Sequence, residues 1–164
     1  MSKLKMDDHE KTPWNPSRKA TARVKDPLPI PTVCPHCGGK VECVSNAEIY
    51  NGTEYGEWSW AYLCRNKDCG AYVGLHPFTA LPLGTLATFE IREARKVAKT
   101  HFNKLFAPPW QKGKAQLKYK FKDRTEAYAW LQLAMGLPAS ECHFAMFDVA
   151  QCMKAIEVIL EKLK

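Results

Sequence analysis

No apolar run in this sequence approaches the roughly 20 residues that would span a bilayer, so no membrane partner is expected. Met1–Glu10 carries Lys3 and Lys5 but no apolar stretch and no small-residue cleavage site, so nothing there reads as an export signal. Internal repeats and low-complexity tracts are also missing, which excludes a solenoid or an array. So is a catalytic constellation. His76, His101 and His143 are scattered and no carboxylate cluster joins them, so neither an enzyme nor a small-molecule substrate is expected. With 164 residues there is room for one domain, or for two small modules sharing a modest core, but not for a large catalytic fold. The remaining composition, 46% hydrophobic and 25% charged, is that of an ordinary soluble protein, and the expected location is the cytoplasm.

What the chain does have is cysteine. Seven of them, an odd number in a sequence without an export signal, point to a reducing compartment, where close cysteine pairs are metal ligands more often than disulfides. Two short loops stand out. Cys34-Pro35-His36-Cys37 and Cys64 to Cys69 are each followed by glycine and are separated by a strand-rich stretch, the layout of a zinc ribbon. A tight loop lets two thiolates converge, and a glycine after the second cysteine supplies the positive φ that such a turn needs. The expected site is therefore one structural zinc held by Cys34, Cys37, Cys64 and Cys69. Four protein ligands leave no open position for water, so the metal should hold the fold and perform no chemistry.

Other donors are read as bystanders. His36 lies inside the first loop and would have to turn inward to ligate. Cys43, on a strand, and Cys152, on an apolar helix face, read as packing. Cys142 and His143 with Cys152 make at most a partial second site. Asp7, Asp8, His9 and Glu10 read as a solvated charge run.

Four segments follow from the patterning. Residues 1–26, charged and poor in aliphatics, are expected to form a flexible arm. Pro27, Pro29 and Pro31 make a stiff lead-in to a ribbon over 27–77, where Val41 and Cys43, and then Trp58, Trp60 and Tyr62, alternate with other residues around an Asn51-Gly52 turn. Residues 78–122 begin with a helix capped by Thr85 and running to about Phe106, its apolar face formed by Ala87, Ile91, Ala94, Ala98, Phe102 and Leu105. After Pro108-Pro109, Leu117, Tyr119 and Phe121 alternate with Lys118, Lys120 and Lys122, the period of a half-buried strand.

Residues 123–164 read as a helical pair packed on the rest. Asp123 with Glu126 forms one capping box and Asp148 with Gln151 another, and Gly136 ends the first helix. On the last helix Cys152, Ile156, Ile159, Leu160 and Leu163 share a face. The expected fold class is α+β: a small antiparallel zinc-ribbon sheet, a basic helix, a short strand and a C-terminal helix–loop–helix.

The formal charge of +7 is unevenly spread: +3 over residues 1–26, −2 over 27–77, +8 over 78–122 and −2 over 123–164. The cysteine-bearing stretch is not basic. On the helix Arg92, Arg95, Lys96 and Lys99 form a ridge beside the apolar stripe, and Lys112, Lys114, Lys118, Lys120 and Lys122 follow it. Each element alone is accounted for by a wet helix face or a blunted edge strand. Together they favour phosphate contact, with DNA or RNA as the partner. Trp58, Trp60 and Tyr62 would stack on single-stranded bases or, more in keeping with a small ribbon, form its core. The alternative function is a small protein-interaction module that inhibits or redirects a host nucleic-acid-processing or defence machine.

The cysteine loops together with Pro82-Leu83-Gly84-Thr85-Leu86, Arg92-Glu93-Ala94-Arg95-Lys96, Glu126-Ala127-Tyr128-Ala129-Trp130-Leu131 and Cys142-His143-Phe144-Ala145-Met146-Phe147-Asp148 resemble a zinc-finger-containing, zinc-ribbon-like family of bacteria and their phages. The resemblance spans about residues 32–160. It implies zinc, a phage-like setting, and a ribbon, basic helix and C-terminal helices that form one unit.

Overall fold

A computed structural model describes residues 10–164; Asp7, Asp8 and His9 of the N-terminal charge run lie outside them. The chain divides into two compact units, Met1–Leu86 and Ala87–Lys164. The first is built on a three-stranded antiparallel sheet of β1 (Val41–Ser45), β2 (Trp60–Cys64) and β3 (Tyr72–Gly74), in that order. Register places Val41 opposite Cys64, and Cys43 opposite Tyr62, which in turn faces Val73. That side of the sheet buries Val41, Tyr62, Cys64 and Val73 with Leu75, Ala71, Cys34 and Leu86, while Trp58 and Trp60 pack against the group. The core is small, and two of its eight buried residues are cysteines of the two loops.

Residues 12–24 are folded onto this unit, where composition alone suggests a flexible arm. A short helix α1 (Arg18–Ala22) is capped by Ser17, whose Oγ accepts from the Ala20 amide, and the Ser17 amide donates to the Phe78 carbonyl at 2.8 Å. The rings of Trp14 and Trp60 meet nearly at right angles, their centres 5.3 Å apart. One aromatic anchor and one cap offset the ordering entropy that the sparse aliphatics could not.

The second unit is helical: α2 (Phe89–Phe102), α3 (Arg124–Met135) and α4 (Val149–Leu163). Ala98, Phe102, Leu105, Leu131, Phe147, Cys152 and Ile159 are among its fully buried residues, around the rings of Phe102, Phe106, Tyr128, Phe144 and Phe147, which meet edge-on or tilted. Helix α3 ends where Gly136 takes a left-handed conformation, and α4 opens with both halves of its capping box, Asp148 with Gln151. At Asp123 only one half forms. Its Oδ1 accepts from the Glu126 amide, but the Glu126 carboxylate accepts from the Lys122 amide.

Three expectations change. Helix α2 begins after Thr88, whose Oγ1 accepts from Ile91, and not after Thr85. Thr85 and Leu86 belong to the sheet unit, where Leu75 bridges Pro82 and the Leu86 carbonyl is bound by His36. The lysine segment is not a strand: Gly113–Lys118 is a 3-10 turn, and Phe121 makes a single bridge to Phe106. A strand needs a ladder, and here the partner supplies one bridge; Leu117 stands 81% exposed, and of the alternating residues Phe121 packs on the helical core. On α4, Leu160 is 45% exposed and Ala155 takes a buried place on the inward face.

Candidate metal centre

Strand pairing assembles the four cysteines. β1 begins just after the first loop and β2 ends on Cys64, so the Val41–Cys64 register returns Cys64 to Cys34 and Cys37. The Arg65 amide donates to the Lys40 carbonyl and the Cys64 amide to that of Ala71, which fixes the second loop between β2 and β3. That loop carries two more residues than the first. Asn66 closes it: its side-chain oxygen accepts from the Asp68 amide and its carbonyl from the amides of Cys69 and Gly70. Gly38 and Gly70 sit at φ +74 and +61, the left-handed region that the turn after each cysteine pair requires.

The four Sγ atoms lie within 4.8 Å of one another, with Cys37 to Cys64 at 3.4 Å and Cys34 to Cys69 at 3.7 Å. A disulfide would bring sulfurs to about 2.05 Å, and all seven cysteines are free. Tetrahedral zinc with Zn–S near 2.3 Å requires sulfurs about 3.8 Å apart, and the cluster fits it. Cys34, Cys37, Cys64 and Cys69 would hold one structural zinc, whose four positions they fill. Among the described residues this is the only group of three or more His, Cys, Asp or Glu side chains placed to hold a metal.

Electrostatics agree with the donor set. The Gly39 amide, donating to Cys37 Sγ at 3.3 Å, and then the bond with Cys64 lower the Cys37 thiol to about 7. Burial drives the neighbouring Cys64 thiol up to about 12. Four sulfurs this close cannot all ionise unaided, because like charges disfavour one another; a divalent cation at their centre lets all four bind as thiolates.

Gly39 has a role that spacing alone does not reveal. A Cβ there would stand 3.1 Å from Cys64 Sγ and 3.2 Å from Cys37 Sγ, so this residue keeps the sulfur cradle open. His36 is not a ligand: its Nε2 donates to the Leu86 carbonyl at 2.8 Å, tying the first loop to the end of the unit. Cys142 and Cys152 are buried in the helical core and burial pushes both thiols up, so they pack as apolar residues.

The basic residues separate into two kinds. Arg92 Nη1 donates to the Ala87 carbonyl and Arg95 Nε to the Phe147 carbonyl at 2.8 Å, with burial lowering the Arg95 pKa. Both arginines therefore spend donors inside the helical unit. Lys96 is exposed and pairs with Glu93 at 2.9 Å, and Lys99 is exposed. Lys112, Lys114, Lys118, Lys120 and Lys122 are all exposed, Lys122 lying 3.8 Å from Glu126. Of the aromatics proposed for stacking, Tyr62 is buried with its hydroxyl on the Ala80 carbonyl, and the Trp58 indole donates to Thr79; these two serve the core.

A four-thiolate centre on two short loops, clamped by a three-stranded antiparallel sheet, defines a zinc-finger protein of the ribbon kind. Residues 30–162, most of the chain, match the family described as a zinc-finger-containing domain, and the chain belongs to that family. No curated protein and no solved structure matches it.

Proposed function

We propose that this protein binds nucleic acid, gripping phosphates through the exposed lysines of the helical unit on a fold that zinc stabilises. One observation carries the reading: Lys112, Lys114, Lys118, Lys120 and Lys122 are all exposed within eleven residues that contain no acidic side chain, beside Trp110, which is 82% exposed. A run of cations beside an open aromatic ring suits a polyanion with stackable bases. Lys96 and Lys99 extend the basic surface, whereas Arg92 and Arg95 act mainly by bracing it. No catalytic step belongs to this reading, since the thiolates occupy the metal, and a cytoplasmic, phage-related setting completes it.

Zinc-loaded protein titrated with labelled single- and double-stranded DNA and RNA across a salt series tests it. Affinity should fall steeply with salt, and changing Lys114, Lys118 and Lys120 together to Ala should reduce the logarithmic salt slope by about 2 to 3. Absence of binding to all four probes would reject the proposal. A second reading, a protein-interaction module acting on a host nucleic-acid-processing or defence machine, is favoured by the exposure of Leu133, Met153 and Leu160 on α3 and α4. A complex insensitive to salt and lost on changing those residues would mark it.

A further inference from the structure

The sheet unit carries an aromatic and basic surface that the lysine segment does not explain. Trp14 is 69% exposed although its ring meets that of Trp60 nearly at right angles, and Phe78 is 41% exposed while its ring lies 5.2 Å from Trp58. Trp58 and Trp60 pack against one core cluster, so each open ring is backed by a fixed one. Phe78 also stands at φ +61, a region side chains normally avoid. The other non-glycine residues there among those described are Asp26 and Asn51, types that tolerate it.

The loop is held in this state from several sides. The His76 carbonyl accepts from Thr79 Oγ1, that of Phe78 from the Ser17 amide, that of Thr79 from Trp58 and that of Ala80 from Tyr62. A strained backbone fixed this firmly, with an apolar ring directed outward, is a feature of binding surfaces. Basic side chains lie beside it. The Ser17 bond places α1 against Phe78, and Arg18, Lys19 and Arg23 on and next to that helix are exposed.

We infer that Trp14 and Phe78 form a stacking site for unpaired nucleobases, with Arg18, Lys19 and Arg23 taking the adjoining phosphates. The inference rests on the nucleic-acid reading above and adds to it a second contact surface with a preference for single strands. A paired base in a duplex offers no open face to these rings, and cationic residues beside aromatic ones are the general means of holding a single strand. Charge complementarity selects this occupant over an apolar protein segment, which would gain nothing from three neighbouring cations.

Fluorescence anisotropy of labelled oligothymidylate and of a labelled duplex, with the zinc-loaded full chain, tests the site. Phe78→Gly is the informative variant, because it removes the ring and relieves the positive φ together. Trp14→Ala removes the other ring, Trp14→Tyr keeps one, and zinc content and thermal unfolding confirm that each variant is folded. Each ring deletion should weaken oligothymidylate binding about tenfold and leave duplex binding unchanged, with Trp14→Tyr restoring most of the loss. If wild-type protein binds oligothymidylate and both ring deletions bind it equally well, the stacking site is wrong while the lysine reading stands. If wild-type protein binds neither probe, both are wrong.

Discussion

The two units solve the same problem by different means. The helical unit buries thirteen residues in one cluster, with Phe102, Phe147, Leu105, Leu131 and Ile159 fully enclosed. The sheet unit buries eight in its main cluster, two of them metal-site cysteines, around strands of three to five residues. So few apolar side chains cannot offset the entropy of ordering the long loops between those strands, and a metal that draws four distant points together supplies the difference. Charge is divided the same way. Ala87–Lys164 has fourteen basic and eight acidic side chains, a net +6, whereas residues 10–86 have eight against seven. One unit therefore depends on a cation, and the other carries most of the net positive charge.

That contrast breaks most severely at a ligand. Cys64→Ser should abolish zinc binding and melt the sheet, because structural zinc contributes on the order of 10 kcal/mol to such folds; metal analysis and near-ultraviolet circular dichroism would report it, with the helical signal largely kept. Phe147→Ala is the counterpart in the other unit. It should cost about 3 to 5 kcal/mol in denaturant unfolding of the helices while bound zinc stays at one per chain.

Smaller effects sharpen the comparison. Gly39→Ala crowds two sulfurs and should lower zinc affinity about 10- to 100-fold in competition with a chromophoric chelator, the range seen when a ligand's supporting contacts are lost. Arg95→Ala should destabilise the helical unit by about 1.5 to 3 kcal/mol, the worth of a charged hydrogen bond to a buried carbonyl. Lys99→Ala, on the open face of the same helix, should stay within about 0.5 kcal/mol in the same unfolding measurement.

The metal site was legible in the sequence because its information is local: two loops, each with its glycine, name all four ligands. The helices were legible for a similar reason, since Asp123, Gly136, Asp148 and Gln151 mark their ends with residues whose side chains or φ angles do the capping. What escaped depends on partners distant in sequence. The alternation at 117–122 looks like a strand until the ladder proves to be one bridge, and Thr85 looks like a cap until Leu86 is claimed by His36. The ridge of Arg92 and Arg95 is correct as a helical wheel, but a wheel cannot show that the Phe147 carbonyl, 52 positions away, takes the Arg95 guanidinium. Gly39 sits in a sulfur cradle, and Phe78 in a left-handed loop conformation, that only the folded chain reveals.

Hydrogen exchange of the full chain, followed residue by residue before and after zinc is removed with a chelator, tests the division most directly. Amides of β1, β2 and β3 should lose their protection while those of α2, α3 and α4 keep it. Strand protection that survives chelation, or helical protection that vanishes with it, would contradict a sheet held by metal and helices held by their own core.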